Sequence, residues 1–221
     1  MDGTMAYLVT VAGCLIAVAG IVVAVLAIRK AKRDVERTTR ARAGAGNGDP
    51  FRTADDDADA LRGDPRRITP GDIVEIRTVS YPVRGSVRFS EGDWTRAEHL
   101  LDDPEGGKRW LSVEEDPELE LVVWAEVPGA TLTPGPASLD FDGRRYTSDE
   151  SGRARFTAVG TTGLNPTGTM RYHDYRAVGE DGVRLSFEAY GDSDRWELGR
   201  GERLSRAEVR IYPHTEPTPA S

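Results

Sequence analysis

The fold is decided by the stretch WTRAEHLL, residues 94–101, and by the way its side chains alternate. Successive side chains of a β-strand point to opposite faces of the sheet, so Trp94, Arg96 and Glu98 are predicted to share one face. The other face then receives Thr95, Ala97 and His99. A similar stretch, WLSVE at residues 110–114, comes after a set of turn residues. Together the two stretches predict an antiparallel hairpin.

The same pattern recurs between Ile68 and Pro213. Ten short segments in this region combine β-branched or aromatic residues with alternation, and turn residues such as Asp142-Gly143 separate them. No long segment here has helical periodicity, which favours antiparallel strands. About 145 residues suffice for one compact domain. The sequence therefore predicts a mainly β domain, either an antiparallel sandwich or a partly closed barrel.

Two parts of this domain resemble each other at an offset of about 75 residues. Residues 92–99, GDWTRAEH, resemble residues 168–175, GTMRYHDY, and WLSVE at 110–114 resembles RLSFE at 184–188. The similarity predicts an internal repeat, in which two similar hairpin units build one sheet system. The alternative is that two amphipathic hairpins look alike by chance.

The N-terminus has a different character. Residues 6–28 are an uncharged apolar stretch, long enough at about 1.5 Å per residue to cross the roughly 30 Å hydrocarbon core of a bilayer. The stretch is too long for a cleaved signal, and a basic run comes directly after it. It therefore predicts one transmembrane helix. The four bases predicted to lie at the membrane surface are Arg29, Lys30, Lys32 and Arg33.

The flanking charges also predict the orientation of this helix. Seven bases lie between Arg29 and Arg42, and none precedes Ala6. Because cytoplasmic flanks are enriched in Lys and Arg, we expect a single-pass protein of the cell membrane with its N-terminus outside and its C-terminal domain in the cytoplasm. Small residues spaced four apart, such as Gly13 and Ala17, would permit weak helix-mediated homo-oligomers.

These features divide the chain into four parts. Residues 1–28 form the anchor, and residues 29–67 form a basic juxtamembrane segment followed by an acidic linker that is predicted to be disordered. Residues 68–213 form the cytoplasmic β domain, and residues 214–221 form a flexible tail.

Charge and motif content argue against several function classes. The net charge is −8, and the domain has no basic stripe with interleaved aromatic residues, so no nucleic-acid partner is expected. Its histidines lack the cysteine partners or the helical spacing of a zinc site. No nucleophile elbow or phosphate-binding glycine loop is present in the sequence. We therefore expect no metal, no cofactor and no enzymatic activity.

One candidate binding site remains, because aromatic residues and carboxylates recur together in the hairpins. A small cation such as a polyamine could lie between ring faces and carboxylates. The alternative is that the rings only pack in the core or across strands. The candidate residues are Trp94, Glu98, Trp110, Glu114, Tyr172, Asp174, Tyr175, Glu188 and Trp196.

Several of these short motifs together resemble a known bacterial family, the one labelled domain of unknown function 4178. They are Gly71-Asp72-Ile73-Val74, Trp94-x-x-x-Glu98-His99-Leu100-Leu101, Trp110-Leu111-Ser112-Val113-Glu114, Tyr172-His173-Asp174-Tyr175 and Leu185-Ser186-Phe187-Glu188. The resemblance implies a mostly β domain without assigned enzymatic activity. It also implies gene neighbours of the polyamine-synthesis and membrane-stress types. One departure is His99, where the family commonly has an aromatic residue.

The residues and the resemblance together predict a membrane-anchored, non-catalytic binding or scaffold module. Its partners would be the lipid bilayer and a membrane or cytoplasmic protein, and it would be linked to membrane-stress or polyamine-related gene systems. One alternative is a sensor of a small cation such as a polyamine. Another is an enzyme whose site the sequence does not reveal.

Overall fold

The computed structural model describes residue 59 and residues 61–214 of the chain. The predicted span at residues 6–28, the basic run after it and residues 215–221 lie outside this part. Within the described part, no helix has the length and apolar character needed to cross a membrane.

The described residues form eleven antiparallel strands and two short 3₁₀ helices, Pro65–Arg67 and Arg206–Glu208. The strands are β1 (Ile73–Ile76), β2 (Val79–Glu91), β3 (Trp94–Asp102), β4 (Lys108–Glu115), β5 (Leu119–Glu126), β6 (Ser138–Phe141), β7 (Arg144–Gly160), β8 (Thr167–Ala177), β9 (Val183–Tyr190), β10 (Glu197–Leu204) and β11 (Val209–Tyr212).

Eight of these strands close into a barrel. Their order around the ring is β2, β3, β4, β5, β10, β9, β8 and β7, and β7 pairs back with β2. This closing pair runs from Gly85 opposite Gly160 to Ser90 opposite Arg155. The predicted antiparallel β domain is therefore confirmed, and of the two predicted forms the barrel is present, closed rather than partly closed. Closure is possible because β2 and β7 are long enough to pair with additional strands at their other ends.

The two halves of the barrel share one strand order. The hairpin of β1 and β2 leads into β3, β4 and β5, and the hairpin of β6 and β7 leads into β8, β9 and β10. Each hairpin turns at a residue with left-handed backbone, Arg77 (φ 60°) in the first and Asp142 (φ 49°) in the second. Arg77 is held there by an ion pair to Glu208, with Nε 2.9 Å from Oε1.

Three segments differ from the sequence-based prediction. Strand β6 was not among the ten predicted segments. The first half of β7 was not predicted either, because residues 148–152, SDESG, contain no apolar residue to alternate. The strand predicted at residues 195–198 is β10, which instead runs from Glu197 to Leu204.

Apolar side chains pack in three clusters. One lies inside the barrel and includes Phe89, Phe156 and Met170. The other two lie on the outer side of the wall, where extra strands cover them. Strands β1 and β11 cover Leu101, Leu111, Val113 and Leu121. Strand β6 covers Tyr146, Tyr175, Leu185 and Phe187.

The folded part begins before Ile68, the predicted domain boundary. Pro65 is buried, and Arg66 in the first 3₁₀ helix pairs with Asp59 at 3.0 Å and with Glu115 of β4 at 2.9 Å. The described end of the predicted linker therefore contacts the barrel. At the other terminus, the backbone N–H of His214 donates to the Asp72 carboxylate at 2.7 Å.

Candidate functional site

The face of β3 that contains Trp94, Arg96 and Glu98 lines the barrel lumen. Arg96 pairs with Glu188 of β9, and β9 is the strand directly opposite β3 in the ring of eight. Side chains of opposite strands can meet only through the lumen. The structure therefore agrees with the alternation predicted from the sequence, which puts Trp94, Arg96 and Glu98 on one face.

Arg96 is the centre of a buried charged cluster, and its side chain is only 5% exposed. One of its terminal nitrogens, Nη2, lies 3.0 Å from Glu98 Oε1 and 3.2 Å from Glu188 Oε1. The other, Nη1, lies 3.7 Å from Asp174 Oδ2. The guanidinium also lies against the rings of Phe89 and Trp94, 5.4 and 5.5 Å from their centroids. Three carboxylates thus surround one cation that the protein itself supplies.

Two of these carboxylates also accept a hydrogen bond from a hydroxyl group, through the oxygen that does not contact Arg96. The Ser186 hydroxyl donates to Asp174 Oδ1 at 2.6 Å, and the Tyr190 hydroxyl donates to Glu188 Oε2 at 2.7 Å. Both donors lie on β9, next to β8. These bonds fix the orientation of the carboxylates toward Arg96.

A second set of contacts joins the aromatic residues of the lumen to carboxylates. The Trp94 indole Nε1 donates to Glu114 Oε1 at 2.7 Å. Its ring stacks on Tyr172 of β8, with centroids 5.9 Å apart and planes 17° apart. The Tyr172 hydroxyl donates to Glu91 Oε2 at 3.0 Å. Each aromatic residue therefore connects the two halves of the barrel.

Burial and the excess of negative charge change the acidity of the cluster. Desolvation and the neighbouring Glu188 raise the pKa of Glu98 to about 8. Desolvation also raises the pKa of Asp174 to about 6, although Arg96 opposes the rise. Burial lowers the pKa of Arg96, but Glu98, Asp174 and Glu188 outweigh this and raise it above its ordinary value. The surroundings of Glu98 therefore favour its protonated form more than water does.

The two segments that are similar in sequence also occupy equivalent positions in the lumen. Ser112 lies opposite Glu98 in the pair β3–β4, and Ser186 lies opposite Asp174 in the pair β8–β9. In the next lumen row, Glu114 lies opposite Arg96 and Glu188 lies opposite Tyr172. The matched motifs thus occupy matched registers.

Most of the predicted site residues converge in the structure. Trp110 also packs, partly buried, against the lumen cluster. The six predicted residues that meet around Arg96 or one contact away from it are Trp94, Glu98, Glu114, Tyr172, Asp174 and Glu188.

Two predicted site residues lie elsewhere, on the outer side of the wall. Tyr175 is buried in the cluster under β6, where its hydroxyl donates to the Pro136 carbonyl at 3.1 Å. Trp196 packs at the edge of the same cluster and lies 5.1 Å from the Arg171 guanidinium. Tyr175 comes directly after Asp174 along β8, so alternation places it on the opposite face.

The prediction omitted Arg96, the residue on which the cluster depends. The signal was present, because alternation puts Arg96 between Trp94 and Glu98 on one face. It also omitted a second buried arginine, Arg184, whose Nη2 lies 2.8 Å from Glu120 Oε1. Within residues 59 and 61–214, no group of three or more His, Cys, Asp or Glu side chains is arranged to hold a metal ion.

The chain is similar to proteins of one family. Residues 69–206 match the family described as Domain of unknown function (DUF4178). Two relatives are the uncharacterized protein Mb2628 of Mycobacterium bovis and the uncharacterized protein Rv2597 of Mycobacterium tuberculosis. Each is 39% identical over 155 residues, which is 67% of this chain and 73% of the relative. No solved structure is a significant match. The chain therefore belongs to the DUF4178 family, as its hairpin motifs predict.

Proposed function

We propose that the chain is a single-pass, membrane-anchored binding module that performs no chemistry of its own. The uncharged stretch at residues 6–28 and the bases after it support an anchor with the barrel on the cytoplasmic side. In this proposal the barrel is a rigid body that presents its outer surface to a partner.

The proposal rests on one observation, that the ionisable groups of the lumen are bonded to one another. Arg96 is paired with Glu98, Asp174 and Glu188, and Trp94 donates to Glu114. A general acid or base must instead lie within hydrogen-bond reach of a substrate. Arg96 Nε has no hydrogen-bond partner among the described residues, but the contacts of Arg96 with the carboxylates and the hydroxyl bonds to Asp174 and Glu188 rigidify the core. Recognition is then left to the outside of the barrel.

Photo-cross-linking of the full chain in membranes tests this proposal. A photoreactive phenylalanine analogue would replace either Ser151, on the outer face of β7, or Trp94, at the lumen. A binding module should give a discrete adduct from the outer position. An adduct from the Trp94 position alone would overturn the proposal in favour of a lumen ligand. Release of the chain from membranes by sodium carbonate would overturn the anchor.

A second candidate function, a sensor of a small cation, is favoured by the charge imbalance around Arg96. Three carboxylates contact this single guanidinium. A polyamine that displaced part of this pairing would stabilise the folded state by RT ln(1 + [L]/Kd), about 2.7 kcal/mol at a hundredfold excess over Kd.

The test of this candidate is a thermal melt of the full chain with spermidine at low salt, where attraction is least screened. The stabilisation should vanish in Glu98→Gln and Asp174→Asn and persist in Glu126→Gln, which changes an exposed carboxylate. No shift in the unaltered chain would remove the sensor.

We also propose that the two halves of the barrel arose by duplication of one unit. The equal strand order, the left-handed turns at Arg77 and Asp142, and the paired positions of Ser112 and Ser186 support this origin.

A further inference from the structure

A groove of about 840 Å³ lies on the outside of the barrel, where β2 pairs with β7. Arginines and hydroxyl side chains from the first 3₁₀ helix and from β2, β3, β7 and β8 line most of it. They include Arg66, Arg88, Arg155, Ser90, Thr157 and Thr169. Two carboxylates, Glu114 and Glu115, also line the groove, and they are already bonded to Trp94 and Arg66. The volume falls within the range of small-molecule and headgroup sites.

The pairing register brings two of these arginines together. Arg88 lies opposite Thr157, and Arg155 lies opposite Ser90. Arg88 and Arg155 are therefore diagonal neighbours on one face, within reach of each other's long side chains. Along the cross-strand rows, Arg155 lies between Ser90 and Thr169, and Arg88 lies between Ala97 and Thr157. One row reads Thr95, Ser90, Arg155, Thr169, and the next reads Ala97, Arg88, Thr157, Thr167.

The positive charge of this groove is available for a ligand. Arg66 is neutralised by Asp59 and Glu115. Arg88 and Arg155 are exposed, and neither has an acidic partner in the part of the chain that the structure describes. On a chain of net charge −8, such a site selects for anions. Guanidinium groups beside hydroxyl donors suit the oxygens of a phosphate group.

The position of the groove along the chain indicates which phosphate-bearing ligand is nearby. The chain reaches the barrel at the edge of the groove, because Asp59, the first described residue, pairs with Arg66 of the lining. The apolar stretch ends at Ile28, so about 30 residues join it to Asp59. A chain of that length can extend to at most about 100 Å. The groove therefore lies within reach of the bilayer surface.

We infer that this groove binds the phosphate headgroups of anionic phospholipids in the bilayer that anchors the chain. The inference rests on the proposed membrane anchor. Arg88 and Arg155 contact the headgroup phosphate, and the flanking hydroxyls donate to its oxygens. The barrel thus docks on the membrane by one basic face while its acidic remainder points away from the surface.

The test uses the full chain reconstituted through its own anchor into vesicles of neutral lipid, or into the same lipid with about one third phosphatidylglycerol. A donor fluorophore on a cysteine introduced as Val159→Cys, an exposed outer-face position of β7 beside the groove but outside its lining, in a Cys14→Ser background, reports energy transfer to an acceptor on lipid headgroups. We expect several-fold higher transfer in the anionic vesicles and a return to the neutral level at high salt. The double variant Arg88→Gln/Arg155→Gln should lose the increase.

A matched control removes the same charge elsewhere. Arg145→Gln/Arg200→Gln changes two exposed arginines outside the groove, each paired with an exposed aspartate. This control should keep the increase. Equal transfer in both vesicle types, or equal loss in the two double variants, would overturn the inference. Carbonate extraction separates this outcome from a failure of the proposed anchor, because an anchored chain stays in the membrane whether or not the groove binds headgroups.

Discussion

Arg96 and Glu188 lie on strands at opposite sides of the barrel, yet Arg96 Nη2 is 3.2 Å from Glu188 Oε1. The contact spans the lumen and joins the two halves of the fold through one guanidinium. Because Glu98 and Asp174 share the same guanidinium, its removal would leave several buried carboxylates facing one another.

Arg96→Met is therefore expected to destabilise the protein by about 3 to 5 kcal/mol, since it leaves buried carboxylates without their partner. Urea denaturation at pH 7 measures the loss. Arg145→Met, which removes an exposed arginine paired with Asp140, should cost less than about 1 kcal/mol. A loss below about 1 kcal/mol for Arg96→Met would contradict the central role of this residue.

Glu98→Gln is expected to flatten the dependence of the unfolding free energy on pH between about pH 6.5 and 8. The folded-state pKa of Glu98 is about 8, and its ordinary value is 4.5. Between these values the folded chain keeps a proton that the unfolded chain has released. The unaltered protein therefore loses stability as pH rises, by up to about 1.4 kcal/mol per pH unit.

Denaturation curves across this window, which lies above the folded-state pKa of Asp174, measure the slope. Glu126→Gln is the control and should keep the slope of the unaltered protein. Equal slopes for Glu98→Gln and the unaltered protein would show that Glu98 does not hold the proton.

His99 is expected to change the dependence of stability on pH in the opposite direction to Glu98. It is 1% exposed, its Nδ1 lies 2.8 Å from the Ser86 hydroxyl, and burial lowers its pKa to about 4. Between about pH 4 and 6.5 the unfolded chain binds a proton that the folded chain rejects, so stability falls as pH falls. Ser86→Ala/His99→Phe removes both partners and should reduce that fall by about 1 to 3 kcal/mol. An unchanged acid transition would contradict this assignment.

Two glycines of β10 provide a test of packing in the lumen. A Cβ on Gly201 would meet the Trp124 ring at 2.5 Å, whereas a Cβ on Gly199 would meet it at 3.5 Å, an ordinary contact. Gly201→Ala should therefore destabilise the barrel by about 1 to 3 kcal/mol through overpacking. Gly199→Ala should lower the stability clearly less. Thermal melts of the two variants measure the difference. Equal costs would show that Trp124 moves aside.

Alternation in the sequence was sufficient to place Trp94, Glu98, Glu114 and Asp174 on lumen-facing rows. It works here because each strand has one face toward a closed interior. The same alternation could also have excluded Tyr175 from the lumen site, because Tyr175 comes one residue after Asp174. Sequence could not show that Arg96 would meet Glu188, because that contact depends on which strands lie opposite each other around the ring.

The first half of β7 was missed for a physical reason. Residues 148–152 of β7 are polar on both faces, since one face lines a polar lumen and the other is exposed. Binary patterning detects a strand only when its two faces differ in polarity. The groove was equally hidden, because Arg88 and Arg155 become neighbours only through the pairing of β2 with β7.

That pairing joins positions far apart in the chain, Ser90 with Arg155 and Gly85 with Gly160, separations of 65 and 75 residues. Contacts of such range form late in folding, because the loop between them must first be ordered. A partly folded chain can have every hairpin in place and still lack the groove. The proposed headgroup site would then exist only in the finished molecule, and an incompletely folded barrel would remain tethered but undocked.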